Sequence, residues 1–142
     1  MTQKTALLGV LVAMLVFAVL QARGGLFGVA KEDVRSAAFL GKVAAELNKQ
    51  LPKAIDPETE LSSIEGREAV FAYNYRLVNR LATEVDATAF LTAMKPQTTA
   101  SACNTPDTRD KFLKQGIALR YSYADKSGTP ITSFDVLPTD CP

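Results

Sequence analysis

The chain has 142 residues with 16 basic and 15 acidic side chains, and it contains neither histidine nor tryptophan. Without histidine, Ser-His-Asp catalysis, Cys-His catalysis and His-ligated metal sites are excluded together. The near-neutral balance also excludes a strong electrostatic pull toward nucleic acid, and no cofactor-binding motif is present.

The first element is an apolar run of fifteen residues, Ala6 to Leu20, after Lys4 and before Arg23. Such a run is either a retained transmembrane helix or the core of a secretory signal. As an anchor it extends over Thr5 to Ala22, about 27 Å of helix, close to one hydrocarbon core. Cleavage after Ala22 would place Leu20 and Ala22 at the recognition positions, a poor fit. Cleavage after Ala30 would use Gly28 and Ala30, which suit better but lie ten residues past the core. No cysteine is near, so a lipid-modified N-terminus is excluded. Gly9/Ala13 and Ala18/Ala22 have small-xxx-small spacing, read more simply as apolar filler than as a dimer seam. The expected organisation is an anchor or signal over residues 1–23, a glycine-bearing juxtamembrane linker over 24–32, and a periplasmic domain over 33–142.

Beyond residue 30 the chain keeps 14 basic and 15 acidic residues, a net charge near −1, and enough length for one hydrophobic core. Both cysteines, Cys103 and Cys141, fall in this exported part. In an oxidising compartment the pair reads as one disulfide, worth roughly 3–4 kcal/mol in the chain-entropy picture. Two free buried thiols are the alternative. With no histidine to complete a site, the pair is not expected to bind metal.

Asp33 stands where a helix N-cap belongs, and Val34 to Leu51 reads as a helix ended by Pro52. Leu40, Val43, Ala44, Leu47 and Leu51 follow the spacing of one buried stripe. Lys53 to Glu60 reads as a loop. Leu61 to Ile64 is a short strand, and Glu65-Gly66-Arg67 is the expected hairpin turn into a strand over Glu68 to Val78. There Phe71, Tyr73, Tyr75 and Leu77 share one face, and Ala72, Asn74 and Arg76 the other. Asp86 is the expected cap of a helix to about Ala102 that buries Phe90, Leu91 and Met94, with a kink or break at Pro96. Thr105-Pro106-Asp107 restarts a helix with a capping hydroxyl, and that helix ends at Gly116. Ile117 to Ala124 is a strand with Ile117, Leu119, Tyr121 and Tyr123 on one face. Asp125 to Gly128 turns into a strand over Pro130 to Val136, followed by a tail. The order predicts an α+β fold, a roughly four-stranded antiparallel sheet with helices on its aromatic face.

The stretches Leu47-Asn48-Lys49-Gln50-Leu51-Pro52, Tyr73-Asn74-Tyr75-Arg76-Leu77, Leu119-Arg120-Tyr121-Ser122-Tyr123, and Cys103 ahead of Lys114-Gln115-Gly116 resemble a group of short bacterial proteins. Those relatives are exported or carry a single anchor in the inner membrane, and they end near a second cysteine. The resemblance implies an envelope location and the cysteine pair, and no activity.

Catalytic readings are thin. A Ser-Lys dyad would draw on Ser62, Ser63 or Ser101. The carboxylate pairs Asp107/Asp110 and Glu58/Glu60 read more simply as a charged helix start and a solvated loop. The tyrosine cluster reads as core sooner than as a ligand platform. One constellation has a functional alternative. Asn74, Arg76, Arg120, Ser122, Ser133 and Asp135 lie opposite the aromatic face, either as a solvated surface with cross-strand ion pairs or as a docking surface for a partner. The expectation is a non-catalytic, single-pass protein of the bacterial inner membrane whose periplasmic domain binds another envelope protein. The alternatives are an exported soluble domain holding a small ligand between sheet and helices, and a Ser-Lys or carboxylate hydrolase.

Overall fold

The structure, a computed structural model, describes residues 32–142. The expected span over 1–23 and nearly all of the expected linker lie outside the described residues. Among the described residues no helix is long and apolar enough to cross a membrane.

Helix α1 (Ala37–Asn48) buries Leu40, Val43, Ala44 and Leu47, the stripe its spacing predicts, while Leu51 beyond it is partly buried. Its N-cap is Ser36 and not Asp33: the Ser36 hydroxyl accepts from Phe39 N at 3.1 Å. Asp33 is spent one turn earlier, accepting from Arg35 N at 3.0 Å. Glu68, distant in sequence, accepts a further bond from Ala37 N at 3.0 Å at this positive helix end.

The sheet has five strands in spatial order β1 (Lys53–Ala54), β2 (Thr59–Arg67), β3 (Val70–Leu77), β4 (Ala118–Ala124) and β5 (Pro130–Val136). Two expectations are corrected here. A two-residue edge strand lies within the segment read as a loop, pairing Lys53 with Leu61 and Ala54 with Glu60. The sheet is also mixed, because β3 and β4 run parallel. Between them the chain crosses over through α2 (Ala87–Asn104) and α3 (Pro106–Lys111), and such a crossover returns it to the same end of the sheet.

The hairpin turn is at Glu68-Ala69, where Ala69 takes a φ of 54°. Its amide donates to Arg35 O at 2.7 Å and its carbonyl accepts from Ala118 N at 2.9 Å, which holds the strained backbone in place. Gly66, expected in the turn, is a strand residue needed for a close approach. A Cβ there would strike the Leu40 carbonyl and Gly41 N of α1.

A register shift between Leu61 and Ser63 lets Leu61 and Ile64 both face the core. Past the end of β1, Asn48 serves the open edge of β2, its amide bonding Ile64 O and Ile64 N, each at 2.8 Å. Helix α2 is capped by Asp86 as expected and runs unbroken through exposed Pro96, where the lost backbone bond falls on the solvent side. The Thr105 hydroxyl does not cap α3; it donates back to Ser101 O at 2.8 Å. Gly116, at φ 80°, closes the following 3-10 turn as the sequence predicts. The described chain is thus α+β with helices on the aromatic face, and Cys103 is bonded to Cys141 across a Cα separation of 5.4 Å.

Candidate binding cleft

In a parallel pair, residues in register stack at the strand spacing, and alternate residues share a face. The repeat Tyr-x-Tyr occurs once on β3 and once on β4, with Tyr73 opposite Tyr121 and Tyr75 opposite Tyr123. The result is a two-by-two tyrosine array. Ring centroids lie 5.3 Å apart for Tyr73/Tyr121 and 5.0 Å apart for Tyr75/Tyr123, with interplanar angles of 19° and 17°. Phe134 of β5 extends the layer at 5.6 Å from Tyr121, and Phe90 of α2 meets Tyr123 edge-on at 4.9 Å.

This array is the floor of a cleft of about 860 Å³, within the range of ligand-binding cavities. One wall is the α2 face carrying Phe90, Met94, Gln97, Thr98 and Ser101, whose positions recur at helical spacing. The opposite lip is Ile55 to Thr59, joining β1 to β2. Helix α2 buries its stripe only in part: Phe90, Leu91 and Met94 pack against the edge of the core and keep one side toward the cleft.

Tyr73, Tyr121 and Tyr123 are more than nine-tenths buried, at 7%, 8% and 7% exposure. No tyrosine hydroxyl has a hydrogen-bond partner among the described residues, and only Arg76 Nε is both fully buried and unpartnered. The hydroxyls therefore border the cleft, with slight contact to its space while their rings are buried. Burial raises the Tyr73, Tyr75 and Tyr121 hydroxyls above the ordinary tyrosine range, with neighbouring tyrosines adding to the effect at Tyr75 and Tyr121. Burial, with the nearby Asp56 carboxylate, pushes Tyr123 up to about 12. All four thus remain neutral donors and acceptors, suited to binding and not to general-base chemistry.

One end of the cleft is fixed by Asp125, the single buried carboxylate among the described residues. It accepts from Ala82 N at 2.8 Å, in the 3-10 turn leading to α2, and from Ser127 N and Thr129 N in its own hairpin. These amides, Ala82 first, hold its carboxyl below the usual range. The sequence marks Asp125 only as a turn residue; its long-range role has no local signal. At the other end of α2, the disulfide ties the helix to the C-terminal tail.

On the opposite face, Asn74, Arg120, Ser122, Ser133 and Asp135 line a polar groove of about 560 Å³, and Arg76 lies outside it. Arg120 binds Asp135 in a two-pronged pair at 2.8 and 3.1 Å. Arg76 pairs with Glu60 at 2.7 Å, and Asn74 donates to Ser63 at 3.1 Å. Of the candidate serines, Ser62 is directed to Glu60 at 3.5 Å, and Ser101 lines the main cleft, which no described lysine lines. Asp107 pairs with Lys111, and Asp110 with Arg109 and Lys114, as ion pairs on a helix surface.

No known sequence family matches the chain, and no curated protein matches it. Solved structures do. A protein of Pseudomonas aeruginosa inferred to be secreted superposes with a TM-score of 0.63 at 20% identity, over 81% of this chain and all of that one. A pilotin of the Vibrio vulnificus type 2 secretion system, EpsS, gives 0.58 at 17% identity over 75% of this chain and 91% of its own. The type II secretion pilotin AspS of Vibrio cholerae gives 0.54 at 16% identity over 74% and 91%. At these identities the likeness is one of fold.

Proposed function

We propose that this chain is a non-catalytic binding protein of the bacterial cell envelope, and that the tyrosine-floored cleft seats an apolar segment of a partner protein. The observation carrying this reading is an open cleft whose floor presents rings and unpartnered hydroxyls together. Aromatic rings with a polar tip recur in protein interfaces because they bury area while keeping one hydrogen bond to offer. Two further observations support the envelope setting: the disulfide, which persists in oxidising compartments, and the shared fold with a protein inferred to be secreted and with secretion-system pilotins. In this reading the apolar run near the N-terminus retains the domain at the inner membrane, facing the periplasm. Release by signal cleavage is the alternative.

The polar face expected from sequence is the rival docking surface. Its arginines are paired within the protein, so a partner would have to displace Asp135 or Glu60 to reach them. Photo-crosslinking residues placed in living cells at Met94, in the cleft, and at Ser122, on the polar face, separate the two. We expect crosslinks from Met94 to map to one contiguous stretch of one protein, with none from Ser122. The reverse pattern would move the function to the arginine face. Native mass spectrometry that finds a bound small molecule would favour the small-ligand alternative.

A further inference from the structure

The cleft is far more acidic than the domain that contains it. Its lining includes Asp56, Glu58, Glu84, Asp86 and Asp107 against one basic residue, Arg80, whereas the chain beyond residue 30 is nearly neutral. Asp107 is already matched by Lys111 at 2.7 Å. The other four are exposed and have no ion-pair partner among the described residues. Three of them bond only to backbone: Asp56 to Glu58 N at 2.8 Å, Glu84 to Leu81 N at 2.9 Å, and Asp86 to Ala89 N at 3.0 Å. A carboxylate used as a cap keeps its negative charge and its remaining acceptor sites.

These four carboxylates lie toward one end, Glu84 two residues before Asp86, and Arg80 just past β3 is the cation beside them. Asp56 is near enough to Tyr123 to disfavour its phenolate. Glu58 is tied to the end of β3 through its carbonyl, which accepts from Val78 N at 2.9 Å. Asp86 lies one turn before Phe90, whose ring touches Tyr123. The two lips of the cleft thus carry like charge at the Tyr75/Tyr123 end, over a floor of neutral rings and unpartnered hydroxyls.

We propose that the cleft selects a partner segment with an apolar stripe followed by a cluster of lysines or arginines, the stripe on the tyrosine floor and the basic end between Asp56/Glu58 and Glu84/Asp86. This rests on the proposed function and names the chemistry of its partner. Cations suit this end twice, since the rim supplies opposite charge and the faces of Tyr75 and Tyr123 supply cation–π contacts. An acidic segment of the same shape would meet four carboxylates offset only by Arg80 and bind more weakly.

The test uses the full chain in nanodiscs of neutral phosphatidylcholine. Its probes are three short amphipathic peptides of identical apolar stripe, ended with lysines, glutamines or glutamates. Binding is read by tyrosine fluorescence. We expect the lysine peptide to bind roughly tenfold tighter than the glutamine peptide and the glutamate peptide weakest, with the gaps narrowing as salt is raised. Glu58→Gln with Glu84→Gln should erase most of the ranking without lowering thermal stability, because glutamine keeps the acceptor that Leu81 N uses. Met94→Arg should block all three. Equal binding of the three peptides, still blocked by Met94→Arg, overturns the charge selection and leaves the cleft reading standing. Binding that Met94→Arg leaves untouched, or no binding by any peptide, overturns both. A dimer seen in sedimentation and dissolved by Met94→Arg would make a second copy the occupant and overturn the selection as well.

Discussion

Gly66 and Gly41 meet where α1 crosses β2, and they answer to opposite requirements. A methyl group at Gly66 would lie inside the α1 backbone at Leu40 and Gly41, so the helix would have to lift off the strand. A methyl group at Gly41 meets nothing within 4 Å. Gly66→Ala is therefore expected to cost about 3 kcal/mol or more in urea unfolding. Gly41→Ala should stabilise α1 by up to about 1 kcal/mol. Equal effects would mean that α1 sits elsewhere. The tyrosines permit a second measurement, because the chain has only four, all in the array, and no tryptophan. Their phenolate absorbance consequently reports the cleft alone. Burial raises these hydroxyls, Tyr123 to about 12 and the others also upward. The neutral form is favoured in the fold, so this contribution to stability is complete below the unfolded value of about 10 and is lost as pH climbs toward the folded values. The folded protein should show no phenolate signal as pH passes about 10, then gain it in one step together with loss of ellipticity. Urea-unfolded chain should titrate near the ordinary value. A separate early titration would place a hydroxyl in open water.

Helix α2 is the element on which the cleft depends, and it is held at its ends more than along its length. Its start is fixed by the Asp86 cap and by Asp125 gripping Ala82 just upstream. Its far end is fixed by Cys103, buried and bonded to Cys141 across 38 residues of sequence. Replacing both cysteines by serine should cost roughly 4 kcal/mol and should weaken probe binding more than its effect on the β-sheet would suggest. Thiol labelling of native, unreduced protein should give no adduct; two adducts would remove both the staple and the oxidising-compartment argument. The elements differ in how plainly their own residues encode them. The α1 stripe was legible because Leu40, Val43, Ala44 and Leu47 repeat at helical spacing. Strand β1 was not, since two residues carry no period and its pairing comes from Leu61 and Glu60. Glu65-Gly66-Arg67 reads as the turn in the sequence, yet the left-handed backbone falls on Ala69, where contacts to Arg35 and Ala118 and not the residue type secure it.

At the scale of the whole molecule, the aromatic face was legible and the cleft was not. Alternation assigned Tyr73, Tyr75, Tyr121 and Tyr123 to the helix-covered side, but a cleft is space left between elements, and no residue encodes it alone. It arises from parallel register, which stacks the two Tyr-x-Tyr repeats, and from α2 being pinned at its ends above them. The expected polar set was likewise brought onto one face, with Arg76 apart from the groove and both arginines in ion pairs. Where this domain sits rests on the N-terminal sequence. In the proposed reading the apolar run is the one crossing, because the sequence beyond it holds no other stretch of about 18 apolar residues. An alkaline phosphatase fusion after Pro142 should therefore be active, and a fluorescent protein that folds only in the cytoplasm should be dark at the same position. On that reading, membrane fractions should contain a chain that keeps the apolar run, because the residues before either cleavage point fit poorly or lie too far from the apolar core. A soluble product shorter by roughly 2–3 kDa would show a removed signal, and the cleft would then meet its partner free in the periplasm instead of at the membrane face.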